Sequence, residues 1–112
     1  MSKARDIGTA YETRLVKFLK DVWPKVQRVG SRDYGAGDLE GVESFTIEAK
    51  AESVWGKARV EKWMSQVWAS QEREGKRWHL LFIRWKYKPT GSSLVVMTAD
   101  QWKQIVKEYG IE

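Results

Sequence analysis

An acid and an amine two residues apart on one strand are the most chemically loaded pair in this chain. Ser44-Phe45-Thr46-Ile47-Glu48-Ala49-Lys50 alternates as a strand does, with Phe45, Ile47 and Ala49 on one face and Thr46, Glu48 and Lys50 on the other. Two positions along a strand span roughly 6.6 Å, close enough for a carboxylate and an ammonium to share one phosphate and one metal ion. A second acid, Asp38, lies ten residues upstream in Gly35-Ala36-Gly37-Asp38-Leu39-Glu40-Gly41. An Asp, a short turn and Glu-x-Lys on the next strand meet the needs of metal-dependent phosphodiester hydrolysis. Two ordinary readings stand beside this one. A same-face ion pair on a wet strand contributes only roughly 0–1 kcal/mol, and Asp beside Gly is common in turns. Glu40 has the parity of Asp38 and is its rival as a ligand.

Glu12 also has two readings. Thr9-Ala10-Tyr11-Glu12 fits a capping box, in which Glu12 would satisfy a backbone N–H at a helix start. Its spacing from Leu15, Val16 and Leu19 instead puts it near a buried stripe, where a carboxylate needs a partner such as a metal with its waters. Arg14, Lys17, Arg28 and Arg32 are candidates to clamp phosphates on either side of the acids, since a guanidinium fork matches phosphate oxygens. For each one separately, solubility is a sufficient explanation. Among seven Trp, Trp55 next to Gly56 is the candidate for stacking on a base or filling a dimer seam. Trp63 and Trp68 read as core, and Trp85 as buried. Gln66 and Gln71 are within reach of a phosphate or a metal-bound water, or simply form a polar helix face. His79 sits in an apolar run with no partner and reads as structural.

Composition narrows the chemistry. The chain has no Cys and one His, which excludes thiol nucleophiles, Cys-ligated zinc and His-pair metal sites. A metal here takes oxygen ligands, hence Mg²⁺ or Mn²⁺. The net charge is +5, and its distribution says more. Residues 1–32 carry eight Lys/Arg against three Asp/Glu, residues 33–56 one Lys against six Asp/Glu, and residues 57–112 eleven Lys/Arg against six Asp/Glu. Basic flanks draw in a polyanion such as nucleic acid, which an acidic centre repels unless cations neutralise it. That pattern favours a nuclease over a passive binder. There is no apolar run long enough to span a membrane and no signal-like apolar region in Met1-Ser2-Lys3-Ala4-Arg5-Asp6, so an intracellular protein without a membrane partner is expected.

These residues need a scaffold. At 112 residues with 42% hydrophobic and 31% charged content, the chain reads as a single domain, 1–112, with one core. A helix is predicted over 6–23, with Leu15, Phe18, Leu19 and Val22 as its buried stripe and Pro24 as its stop. A short strand at 26–29, a glycine-rich loop over 30–37 and a hairpin of 38–42 with 44–50 follow. A second helix spans 58–74 with Val60, Trp63, Met64, Val67 and Trp68 inward, stopped by Gly75. Trp78 to Trp85 is apolar on both faces at its centre and reads as an interior strand. After the turn at Lys88-Pro89-Thr90-Gly91, a strand at 94–97 leads into a capping box, Thr98-Ala99-Asp100-Gln101, and a last helix ending at Gly110. The order αβββαββα predicts an α/β fold with a mixed central sheet flanked by helices.

Glu12, Asp38 and Glu48-x-Lys50, in that order on those elements, resemble the PD-(D/E)xK nuclease superfamily. Within it the chain is most similar to archaeal-type Holliday junction resolvases, including compact viral versions. The similarity rests on Tyr11-Glu12, Val26-Gln27-Arg28-Val29-Gly30-Ser31, Gly37-Asp38-Leu39-Glu40-Gly41-Val42, Ile47-Glu48-Ala49-Lys50 and Leu81-Phe82-Ile83-Arg84-Trp85, and spans residues 5–100. Gly37 stands where the superfamily motif has Pro. The resemblance implies a restriction-endonuclease-like fold. It implies Mg²⁺ held by Asp38 and Glu48, with the Ala49 carbonyl adding an oxygen and Glu12 holding a metal water or a second ion. Lys50 would orient the attacking water or stabilise charge on the phosphate. Arg14, Lys17, Arg28, Arg32, Trp55 and Gln66 would meet DNA. It further implies a homodimer that cuts two opposed strands of a four-way junction, in a cell or, for a viral protein, in the host cytoplasm. The alternatives are a nicking, repair or restriction-like nuclease of the same fold, and a non-catalytic nucleic-acid-binding module.

Overall fold

A computed structural model describes residues 3–29 and 37–110; Arg32 and the rest of 30–36 lie outside the described residues. Helix α1 (Lys3–Leu19) is followed by strands β1 (Gln27–Arg28), β2 (Leu39–Glu40) and β3 (Phe45–Lys50), helix α2 (Lys57–Glu74) and strand β4 (Trp78–Ile83). A 3₁₀ turn (Thr90–Ser92), strand β5 (Leu94–Val96) and helix α3 (Ala99–Tyr109) follow among the described residues. The fold is α/β, with a five-stranded mixed sheet in the order β1-β2-β3-β4-β5. Every neighbouring pair is antiparallel except β3 and β4, which run parallel from Phe45↔Trp78 to Lys50↔Ile83. A parallel pair needs a crossover, and α2 is that crossover.

The pleat of β3 divides the interior as its alternation predicts. Ile47 and Ala49 join Tyr11, Leu15 and Leu19 of α1, Leu39 of β2, and Leu80 and Phe82 of β4 in one apolar cluster, with Phe45 packed against it. On the other face Trp63, Met64 and Val67 of α2 pack against Leu81 and Ile83. Every residue of β4 is buried, as expected of an interior strand with cover on both sides.

Several sequence expectations need correcting. Helix α1 ends at Leu19, where the Val22 and Trp23 amides both donate to its carbonyl, so the chain has turned before Pro24. Val22 therefore leaves the stripe and is 62% exposed, and Phe18 is 50% exposed on the flank facing Gly91. The stripe is instead Tyr11, Leu15 and Leu19. Trp68 lies at the rim of the α2 face, 44% exposed, and Trp85 lies past the end of β4, 51% exposed. Both helix stops hold: Gly75 and Gly110 adopt the left-handed conformation, at φ 64° and 60°. At the start of α3 the Thr98 hydroxyl accepts from the Gln101 amide, but the Gln101 side chain does not close the box. It reaches across to the backbone of His79.

Candidate active site

Asp38 is held by its backbone before its side chain is considered. Its N–H donates to the Ile47 carbonyl at 2.7 Å, and its own carbonyl accepts from Val29 at 3.0 Å, so it is tied to β3 on one side and to the end of β1 on the other. Its Oδ2 accepts from the Ala49 N–H at 2.7 Å. This anchorage needs Gly37. A Cβ there would stand 2.7 Å from the Ile47 oxygen, and the Gly37 N–H donates to Glu74 at 3.1 Å. A Pro at 37 would bring a Cβ and lose that N–H.

Leu39 opposes Ile47 across the β2–β3 ladder, and this register brings the Asp38 and Glu48 carboxyls together. They are close enough that Asp38 acts on Glu48 by charge and by hydrogen bonding. Glu48 is 8% exposed and accepts from the Ser70 hydroxyl of α2 at 3.3 Å. Its pKa is pushed up to about 8, first by burial and then by the charge and hydrogen bond of Asp38, with Lys50 and Ser70 pulling the other way. Without a cation, the pair is accommodated by Glu48 keeping its proton. Glu40, the rival of Asp38, bonds Gln27 across the β1–β2 ladder at 2.5 Å, which selects Asp38 for the cluster.

Glu12 approaches from α1. That helix begins six residues before Thr9, so the capping-box reading fails and Glu12 is a mid-helix residue. It pairs with Arg28 of β1 at 3.1 Å. Burial and the charge of Asp38 raise its pKa, while Arg28 and Lys50 oppose the rise. Glu12 is thus near enough to feel Asp38 and Lys50 but is turned to Arg28. Among the described residues, no three His, Cys, Asp or Glu side chains close on one point that would hold a metal ion. The oxygen donors brought together are the Asp38 and Glu48 carboxylates, with the backbone of Ala49 alongside.

Two clefts flank this cluster. One, of about 480 Å³, is lined by Glu12, Asp38, Ala49 and Lys50, with Arg59 and Arg84 on its walls. The other, of about 660 Å³, reaches Glu48 from α2 and is lined by Lys62, Gln66, Ser70 and Arg73. Of the other proposed DNA contacts, Gln66 lines the second cleft, Arg28 is engaged with Glu12, and Arg14 and Lys17 are exposed on α1 away from either lining. Trp55 lies between an apolar groove with Val60, Met64 and Trp68 and a smaller one with Arg84 and Trp85. Gln71 is not a site residue; it bonds the His79 ring and the carbonyls of Lys76 and Arg77.

Sequence reasoning missed the support from α2. Glu74 accepts from both the Gly37 amide and the Thr46 hydroxyl, at 3.1 and 2.9 Å. With Ser70 on Glu48, α2 holds the site at two points. The signal was present in the spacing Trp63, Val67, Ser70, Glu74, one helix stripe that passes from apolar to polar where it crosses β3. No family model, no curated protein and no solved structure matches this chain.

Proposed function

We propose that the chain is a metal-dependent DNA endonuclease of the restriction-endonuclease-like type, acting on branched DNA and most readily on a four-way junction. The observation that carries this reading is the closeness of the Asp38 and Glu48 carboxyls across the β2–β3 ladder. A protein gains no stability from pressing two carboxyls together in a buried place, and a divalent cation removes the conflict. The donor set suits Mg²⁺ or Mn²⁺, which bind through one or two carboxylates and leave positions for water and phosphate oxygens. Asp38 and Glu48 would hold the ion, with the Ala49 carbonyl as a third donor. When bound, it would supply charge neutralisation at the phosphate and a more acidic water.

The chain's own groups do the rest. Lys50, which shares the first cleft with Asp38 and Glu12, meets the non-bridging phosphate oxygens or orients the attacking water, and it is already in place before charge develops. Ser70 and the Ala49 amide fix the two carboxylates. Arg59, Arg84, Lys62 and Arg73 line the flanking clefts and draw the backbone toward an otherwise repelling acidic centre. A junction presents two strands to cut, so this reading carries a homodimer with one site per strand. A non-catalytic nucleic-acid-binding module explains the basic clefts but gives no reason for the carboxyl contact.

The test is cleavage of labelled four-way junction, flap, nicked and linear DNA with and without Mg²⁺. Glu48→Gln and Asp38→Asn should each lower the cleavage rate roughly 10²–10³-fold or more while junction binding persists. Either variant cutting at the wild-type rate removes the assignment. A preference for linear duplex removes the junction substrate and leaves the nuclease.

A further inference from the structure

Beyond the ends of β3 and β4 the chain carries aromatic surface that the acid site does not use. Arg84-Trp85-Lys86-Tyr87-Lys88 alternates cation and ring. Trp85 is 51% exposed and Tyr87 90%. The Lys88 amide closes a turn onto the Trp85 carbonyl at 3.1 Å, and Tyr87 occupies its third position at φ 65°. Turns of this shape favour Gly or Asn there, and an aromatic residue is strained. The fold therefore holds a bulky ring outward in an unfavourable backbone conformation. The Lys86 ammonium sits 4.9 Å from the Tyr87 ring centre. Trp55, Val54 and Ser53 of the loop after β3 face Arg84, Trp85 and Lys86 across a groove of about 360 Å³ with no acid in its lining. Arg84 is anchored by Nε to the Ala51 carbonyl at 3.1 Å. Ser53, Val54 and Arg84 line both this groove and the cleft that holds Asp38 and Lys50.

We infer that this groove, together with the exposed turn of Tyr87 and Lys88 beside it, binds unpaired nucleotides, with bases against Trp85, Tyr87 and Trp55 and phosphates against Lys86, Lys88 and Arg84. Exposed rings offer a face to any base, and interleaved cations meet the backbone. A groove of this size sits in the lower part of the range for small-molecule clefts, roughly 300–1,000 Å³. Because it shares a wall with the acid cleft, a strand leaving the scissile phosphate single-stranded passes directly onto it. The platform thus selects DNA that is open beside the cut, which deepens the nuclease reading and rests on it only for that last step.

Binding is measured apart from cleavage. An end-labelled oligothymidine about eight nucleotides long is titrated with the protein in EDTA by fluorescence anisotropy, beside a blunt hairpin duplex of the same charge. The oligothymidine should bind more tightly than the duplex. Trp85→Ala and Tyr87→Ala should each weaken it about ten-fold, with the duplex little changed. Trp85→Phe should restore most of the loss, and Trp102→Ala, which removes an equally exposed ring on α3, should leave binding unaltered. Both rings are exposed, so melting curves of the variants should match the wild type. Oligothymidine affinity indifferent to Trp85 and Tyr87, or a duplex bound as tightly with the same losses, overturns the platform even if the protein cuts junctions. Ring-dependent oligothymidine binding by a protein that cuts no DNA keeps the platform and removes the nuclease reading.

Discussion

Two buried polar clusters lie against α2, and they are built on opposite principles. At the start of β4, His79 is closed within the protein. Its amide donates to the Gln101 side chain at 2.9 Å and its carbonyl accepts from the same side chain at 2.7 Å. Its Nδ1 meets Gln71 at 3.2 Å, while Nε2 faces the Thr98 amide at 3.4 Å and the Trp68 indole at 3.5 Å. That places the ring proton on Nδ1 and leaves Nε2 as acceptor. At the junction of β2 and β3, Asp38 and Glu48 also have neighbours, and among the described residues no buried side-chain polar atom lacks a partner. Their conflict is one of charge. The first cluster is complete, and the second is complete only with a proton or a cation. Unresolved charge separates a site from a scaffold here, since burial and hydrogen bonding are common to both.

The largest effect that tests this contrast is on the complete cluster. Gln101→Ala removes both partners of the His79 backbone, leaving a buried N–H and C=O unpaired, and should cost about 2–5 kcal/mol in urea unfolding. Junction cleavage by the folded fraction should survive, because Gln101 touches nothing near Asp38. A cost within experimental error would show that water satisfies the two groups and that the cluster is not what fixes α3 to β4.

The incomplete cluster should behave in the reverse sense. Glu48 binds its proton more tightly when folded, with a pKa moved from 4.5 to about 8. Between those values the folded state holds more proton than the unfolded one, so in EDTA this group lowers stability as pH rises through the window. Glu48→Gln removes the conflict and should stabilise the cation-free protein by about 2–3 kcal/mol near pH 7, with the gain vanishing toward pH 4. Mg²⁺ should raise the wild-type melting temperature at pH 8 and leave that of Glu48→Gln unchanged. His79 contributes the opposite slope. Burial lowers its pKa below 6.5, so its share of stability is present above that value and is lost as pH falls below it. Melting temperatures from pH 4 to 9 for wild type, Glu48→Gln and His79→Gln separate the two. Equal profiles for wild type and Glu48→Gln would mean that the carboxyls are not in conflict.

The same contrast explains how much was legible in sequence. Alternation in Phe45–Lys50 fixed which side of β3 carries Glu48, and the apolar run Leu80–Ile83 marked an interior strand, because pleat and burial follow local pattern. Glu12 could not be placed by pattern alone, since its capping role depended on where α1 begins. Asp38 was legible in type, but the choice of it over Glu40 required Gln27 on a neighbouring strand. The helix spacing put Ser70 and Glu74 on the stripe that faces β3, but their partners lie more than twenty residues away in the chain, and no local rule announces such pairs. The exposure of Trp85 was hidden because β4 stops at Ile83, and strand ends are set by the neighbouring ladder as much as by the strand itself.

Glu74 offers the smallest and most discriminating test, because it belongs to the scaffold yet acts on the site. Its carboxylate joins the Gly37 amide to the Thr46 hydroxyl, one residue before Asp38 and two before Glu48. Glu74→Ala leaves those donors without an acceptor and should cost about 1–2 kcal/mol. It should also loosen the β2–β3 contact that brings Asp38 to Glu48. Glu74→Gln keeps an oxygen in the same place and should restore both stability and rate. If Glu74 only positions, the Ala variant should lose kcat with little change in KM, keep its pH profile, and regain part of the rate at higher Mg²⁺, since the ion can draw the two carboxylates back together. If instead Glu74 contacts the reacting groups, Glu74→Gln will be as slow as Glu74→Ala, and the boundary between the two kinds of cluster must be moved to include α2.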